Sequence, residues 1–206
     1  MKKIVFATLP LKKDIEKRNY PVEGNALIEI HEPIYFAATS ALVGTLKAED
    51  EVKVILLETE GGENAGKEHA KEFEDELNRF NKAGAKISCE IFTSTFNPSK
   101  ANLQFIFKAL VKKLEHGAEI YADITYGPKP LAFFLFTVFQ FAEKFFDCSI
   151  GHIVYSKVEF EKGKIVDGSE MIYDITPLYL MNSFTNMIEA PTGERVIQTF
   201  EALFEE

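Results

Sequence analysis

Short apolar runs of strand character alternate with helical stretches along most of this chain, and that alternation limits the fold more than any other feature. "KIVFAT" (3–8), "VKVILLET" (52–59), "AKISCEIF" (85–92), "AEIYADI" (118–124) and "GHIVYSKVEF" (151–160) read as strands, and "MIYDIT" (171–176) as a last one. Pro33 opens an expected helix to Leu46. Residues 65–82 place Ala70, Phe73, Leu77 and Phe80 at three- and four-residue steps. Asn97-Pro98 reads as an N-cap and first helical position, ahead of a face of Leu103, Ile106, Leu110 and Leu114, with Gly117 just beyond. "LIEIH" (27–31) reads as a short extended piece and "EKGKIVDG" (161–168) as a hairpin. "PLYLMNSFTNMI" (177–188) and "GERVIQTFEALFEE" (193–206) read as helices.

Strands that alternate with helices imply a parallel sheet covered on both faces. The expected class is α/β: a Rossmann-like three-layer αβα sandwich with a mainly parallel sheet. In a doubly wound order the first and fourth strands lie side by side, and ligands bind at their carboxyl ends. The fourth run ends in "ADITYGPKP" (122–130). The first ends at Thr8-Leu9-Pro10, where the long polar loop "LPLKKDIEKRNYPVEGN" (9–25) begins. The two chemically richest connections therefore face one crevice.

Gly127 lets the backbone bend sharply and a ligand approach closely. Pro128 or Pro130 can start a helix whose free amides and positive dipole end suit a phosphate. Thr125 and Tyr126 add hydroxyls, Lys129 a cation, and the Tyr126 ring a stacking surface. Asp123 would repel phosphate; it suits neighbouring amides or a ribose hydroxyl. The same residues also serve an ordinary strand-to-helix turn with a threonine cap, and chemistry alone leaves both readings open. "FTSTFNPSK" (92–100) is a second candidate, through Thr93, Ser94, Thr95 and Asn97, although simple capping explains it better, because the third strand is expected farther from the switch point.

The chain has 206 residues, a formal charge of −9 and 46% hydrophobic residues. A duplex nucleic-acid surface would need a basic face, which this balance argues against. Cys89 and Cys148 form no C-x-x-C, so a reducing cytoplasm is the expected setting. The apolar run in "MKKIVFATLPLKK" is too short for a signal-peptide core, and Pro130–Ala142, interrupted by Gln140, is too short for a membrane span. There is no G-x-G-x-x-G after the first strand and no P-loop; "ETEGGENAGKEHA" lacks both the spacing and the following hydroxyl. His31, His69, His116 and His152 lie far apart, and His69 beside Phe73 suits a helix face. No catalytic residue and no metal ligand is assigned.

"DITYGPKPLAFFL" (123–135) resembles the D-x-T-H-G signature of the CRISPR-associated Rossmann-fold (CARF) sensor domains. Asp123, Thr125 and Gly127 match it, and Tyr126 takes the histidine position. "MIYDITPLYLMNSF" (171–184) resembles the tyrosine-aspartate-x-threonine-proline segment that follows later in that family. The resemblance implies a ligand-sensing domain over 1–190 and a C-terminal helix, 191–206, leading toward an effector domain. It implies a homodimer, or a higher oligomer built from it, that binds cyclic tetra- or hexa-adenylate across its two-fold axis. Such a module is the sensor of a type III CRISPR antiviral effector. The site it implies takes Thr8, Leu9, Pro10, Asp123, Thr125, Tyr126, Gly127, Pro128 and Lys129; Thr93, Ser94, Thr95 and Asn97 remain the second candidate, on a strand expected farther from the switch point. No cofactor is implied beyond the cyclic oligoadenylate ligand. A ring nuclease cutting that messenger without a metal, using the ribose 2′-hydroxyl as nucleophile, is one alternative. A Rossmann-like mononucleotide-binding domain is another. The arginines Arg18, Arg79 and Arg195 lack a histidine four to six residues on, so the HEPN ribonuclease motif of CARF effectors is missing.

The helix "LAFFLFTVFQFAEKFF" (131–146) is apolar almost all round, which calls for cover on two sides. One side suits the sheet. The other suits either the C-terminal helices or a second copy of the chain, through Phe133, Phe136 or Phe139. "RVIQTFEALFEE" ends within a helical pattern, without a glycine cap or proline stop, as a sensor cut from a longer effector would.

Overall fold

A computed structural model describes residues 1–61, 65–188 and 192–204. It divides into two compact units, Met1–Thr176 and Pro177–Glu206. The first contains β1 (Lys2–Thr8), β2 (Val22–Glu23), a 3-10 turn (Ala26–Ile28), α1 (Ala37–Val43), β3 (Glu51–Thr59), α2 (Gly66–Phe80), β4 (Lys86–Ser94), α3 (Lys100–Val111), β5 (Glu119–Asp123), α4 (Pro130–Phe146), β6 (Ser149–Lys157), β7 (Phe160–Glu161), β8 (Lys164–Ile165) and β9 (Met171–Asp174). The second is built from α5 (Thr176–Met187) and α6 (Gly193–Phe204), whose Phe184 and Phe200 rings meet edge-on at 5.4 Å.

The main sheet runs β2-β9-β6-β5-β1-β3-β4. All neighbours are parallel except β6 and β9. β1 lies between β5 and β3, with Ala7 opposite both Asp123 and Leu56, so the expected adjacency of the first and fourth runs is present. Residues 3–8 of β1 are all buried, which is why that strand reads as continuous rather than alternating. On one face Val5, Ala7, Val54, Leu56 and Tyr121 join Leu42 of α1 with Phe73 and Leu77 of α2 in a single core cluster. On the other, Phe6 meets Phe139 of α4 with ring centroids 5.6 Å apart. The architecture is thus α/β and Rossmann-like, with helices on both faces of a mostly parallel sheet.

Three local expectations are corrected. "LIEIH" is only partly extended: its first part is the 3-10 turn, where Asn25 Oδ1 accepts the Leu27 amide at 3.2 Å, and Glu29 after it is extended. The helix expected from Pro33 to Leu46 shortens to Ala37–Val43. Ile34 is held extended by two backbone hydrogen bonds of 3.0 Å with Arg18, a pairing no local signal reveals. The helix expected from Asn97-Pro98 starts later, at Lys100, with Ser99 as its cap. Asn97 instead closes an Asx turn, its Oδ1 accepting the Ser99 amide at 2.8 Å.

The expected hairpin forms as β7–β8, with Lys162 and Gly163 both at positive φ in its two-residue turn. The last expected strand stops at Asp174. Residues 62–64, in the "GGEN" stop after β3, lie outside the described residues, as do the 190/191 boundary and the last two residues of the C-terminal helix. Among the described residues no helix is long and apolar enough to cross a membrane.

Among the described residues, α4 buries one face and leaves part of its apolar surface exposed. Leu131, Leu135, Val138, Phe139 and Ala142 are buried, while Phe133 is 76% exposed and Phe145 60%. Phe139 therefore belongs to this chain's own core, which removes it from the residues expected at a dimer contact.

Candidate functional site

The turn after β5 is built from internal hydrogen bonds. Asp123 is buried at the strand end, and its Oδ2 accepts the Ala38 amide of α1 at 2.9 Å. Its Oδ1 accepts both the amide (3.0 Å) and the hydroxyl of Thr125. Thr125 Oγ1 in turn accepts the Ser156 amide of β6 at 2.9 Å. Asp123 and Thr125 thus tie the turn to α1 and β6. Of the two roles open to Asp123, it fills the one toward neighbouring amides.

From the other side, Thr8 at the end of β1 donates its hydroxyl to the Asp123 carbonyl (3.1 Å) and accepts the Tyr126 amide (2.9 Å). Gly127 has φ +83°, and a Cβ there would lie 3.2 Å from Leu131 Cδ2 and 3.8 Å from the Thr8 side chain. Only glycine meets both demands without strain. Pro130, not Pro128, is the first residue of α4, and Pro128 contributes its carbonyl to the Leu131 amide at 2.9 Å. Lys129 stands exposed in the N-cap position, with no side-chain cap on the helix. The threonine cap that would make this an ordinary helix start is absent, because Thr125 serves Asp123 and β6 instead.

Tyr126 is half-buried and packs against the core cluster on the α1 face. Burial first, then the neighbouring Tyr20, Asp123 and Glu76, hold its phenol well above the usual tyrosine value. The phenol therefore stays neutral and is a poor base at neutral pH. Burial also raises the Asp123 carboxyl, against the opposing pull of Thr125 and the α1 amides.

Glu76 was not legible as a site residue, yet it is the second acid at this place. It is buried on α2 and accepts the Tyr35 amide (2.6 Å), the Phe36 amide (3.2 Å) and the Thr39 hydroxyl (2.7 Å). Its carboxyl is raised by burial, with those three donors opposing. The available signal was its position: a charge between Phe73, Leu77 and Phe80, on the apolar face of the helix. Asp123 and Glu76 together occupy the amino end of α1. At α2, a Cβ on Gly66 would overlap the Glu58 carboxylate, so an acid also faces that helix start.

A second Asp-Ile-Thr segment, 174–176, repeats the geometry of 123–125. Asp174 Oδ1 accepts the Thr176 amide at 3.0 Å and its hydroxyl, and Thr176 Oγ1 accepts the Ile153 amide of β6 at 2.8 Å. Asp174 Oδ2 takes Asn25 (3.1 Å) and lies 3.0 Å from His152 Nδ1. Burial would raise this carboxyl, but the hydrogen bonds from His152, Thr176 and Asn25 outweigh it and hold the group well below the usual range.

The remaining expected residues are placed as follows. Leu9 and Pro10 are buried, and Leu9 donates its amide to the Leu57 carbonyl at 2.9 Å, extending β1 rather than facing the crevice. Thr93, Ser94, Thr95 and Asn97 lie at the end of β4, which β3 separates from β1, so they are not gathered with the turn. Thr93 donates to Glu58 Oε2 at 2.6 Å, and Ser94 is buried. His69 is fully buried, with Nε2 donating to the Lys12 carbonyl and Nδ1 beside Glu72, both at 2.8 Å. Among the described residues no cluster of three histidine, cysteine or acidic side chains could hold a metal.

Two surface cavities lie away from the turn. One of about 130 Å³ is lined by Lys2, Lys53, Lys86 and Glu115 at the amino ends of the strands. The other, about 430 Å³, is lined by Lys17, Arg18, Asn19, Pro21, Pro33 and Glu170.

No protein-family model matches this chain, and no curated protein matches it.

Proposed function

We propose that this chain is a CARF-type sensor that binds cyclic tetra- or hexa-adenylate at the D-x-T-x-G turn, with the ring shared across a homodimer, as part of a type III CRISPR antiviral response. The observation that carries the reading is the bracing of the turn. Asp123, Thr125 and Thr8 are all spent on holding it at the junction of β1 and β5, leaving Tyr126, Gly127 and Lys129 to meet a ligand. That junction is the switch point where doubly wound sheets bind ligands. The exposed Phe133 beside it, on the first turn of α4, offers apolar surface for that partner.

The arrangement favours binding over cleavage. Asp123 accepts hydrogen bonds and is enclosed, and the phenol of Tyr126 is a poor base at neutral pH. Mixing the protein with each ring and chromatographing the products tests this. The expected result is a mass shift to a dimer holding an intact ring. A consumed ring would make the protein a nuclease instead, and no shift with either ring would remove the reading.

A further inference from the structure

The two edges of the main sheet are finished differently. β2 closes one edge with two residues, too short to offer much for pairing. β4 closes the other with nine, Lys86–Ser94, without proline or glycine, and its register with β3 is unbroken. Among the described residues no strand lies beyond it.

The bonds of β4 to its neighbour show which backbone groups face outward. The Lys86 amide donates to the Asp50 carbonyl, and the Ser94 carbonyl accepts the Glu60 amide, both at 2.9 Å. Positions of that parity bond toward β3. Ile87, Cys89, Ile91 and Thr93 therefore turn their amides and carbonyls away from it. An open edge of this kind is a template for another strand. The charge in its middle is already compensated, since Glu90 is held by Lys113 at 3.0 Å and lies 3.7 Å from Lys53.

The residues of the edge indicate what that other strand is. "ISCEI" (87–91) has isoleucine at both ends and Cys89 at its centre. Antiparallel pairing about a two-fold axis at Cys89 sets Ile87 opposite Ile91 of a second copy, through the outward-facing backbone. Ile87 and Cys89 pack against the core cluster shared with α2, so this row carries an apolar surface across the junction. The exposed Ser88 then meets Glu90 of the second copy in a non-hydrogen-bonded pair, where side chains come closest, a hydroxyl against a carboxylate. Other axes fit worse. An axis at Glu90 sets two carboxylates face to face. One at Ile91 sets Glu90 against the Phe92 ring. One at Ser88 sets Ile91 against Ala85, whose amide and carbonyl are both taken by Asn81. We propose that β4 pairs antiparallel with β4 of a second copy about an axis at Cys89, an interface separate from the Phe133 contact. It does not rest on the reading of the turn as a ligand site.

The test is light scattering of the full chain, without ring, over a series of rising concentrations. One strand edge is a small interface, so the parent's mass should climb with concentration from the value it holds when dilute. Ser88→Glu sets like charges opposite each other on both sides of the axis and should move the midpoint of that climb about threefold or more to higher concentration. Ser88→Lys sets opposite charges there and should move it to lower concentration by a similar factor. Ile91→Pro removes an outward amide while sparing the bonds to β3, a place where an edge strand tolerates proline, and should abolish the climb. Ser88 and Ile91 are exposed, so thermal midpoints should stay near the parent's. If Ile91→Pro does not fold, the opposed Ser88 shifts decide alone. A parent mass independent of concentration, or Ser88 variants that shift the midpoint in one direction or not at all, overturns the proposal. A climb that Ile91→Pro abolishes and the Ser88 variants ignore puts another strand or register on the edge and overturns it too. Ring affinity at low protein concentration should be the parent's in every variant, so either result leaves the ligand reading to its own test.

Discussion

Thr8 and Tyr126 are joined across the first and fourth strands of the alternating pattern by a single hydroxyl, which accepts the Tyr126 amide at 2.9 Å while donating to the Asp123 carbonyl. One side chain on β1 therefore sets where the turn on β5 sits. Thr8→Val keeps the shape and removes that link, leaving the Tyr126 amide without its partner. The expected cost is about 1–3 kcal/mol of stability, read from urea unfolding, together with weaker ring binding. Unchanged stability and affinity would mean that the bond does not position the turn.

Tyr126 should contribute surface rather than acid–base chemistry. Tyr126→Phe is expected to bind the ring nearly as well, losing about 0.5–1.5 kcal/mol. Tyr126→Ala should lose more, because base–aromatic stacking is worth on the order of 1–3 kcal/mol. Gly127→Val should be worse than either, since φ +83° and the nearby Leu131 and Thr8 leave a branched side chain no place. Ring affinity for the three, with folding checked by circular dichroism, orders them; Tyr126→Ala and Gly127→Val both binding like the parent would reduce the turn to a helix start.

Two of the three aromatic residues of α4 expected at a dimer contact, Phe133 and Phe139, should separate. Phe133→Ser is expected to leave the fold intact and shift light-scattering mass toward the monomer, because Phe133 is 76% exposed. Phe139→Ala should instead cost about 3–5 kcal/mol of stability, because its ring is buried against Phe6. An unchanged mass for Phe133→Ser would place the dimer contact elsewhere.

Asp174 makes the acid limb of stability testable. Its folded carboxyl titrates below the ordinary value, so its contribution is complete above about pH 4 and is lost as pH falls toward the folded value. Asp123 and Glu76 are raised, so they act in the opposite sense: their ionisation costs stability as pH rises through their folded values. Urea midpoints of the parent and Asp174→Asn should differ most near pH 7 and converge in acid. A constant gap would assign the loss to packing rather than charge.

The sheet was legible because its evidence is local. β1, β3 and β5 are buried on both faces over most of their length and read as apolar runs, and a doubly wound order then places Thr8 beside the Asp123 turn. Part of what escaped depends on partners distant in sequence, and part on which of two neighbouring polar residues caps a helix. The start of α1 is displaced by Arg18 pairing with Ile34, and α3 takes Ser99 rather than Asn97 as its cap. Glu76 looked like part of a charged helix, although its place on the apolar stripe marked it. The duplicated Asp-Ile-Thr geometry was visible as letters, but its common anchor on β6 was not.

The central claim is that the D-x-T-x-G turn forms half of a cyclic oligoadenylate site, and its stoichiometry tests that most directly. Isothermal titration of the protein with cyclic tetra- and hexa-adenylate, and with AMP as a linear comparison, should give one ring bound per two chains and much weaker binding of AMP. No heat with either ring, or one ring bound per single chain, would contradict it.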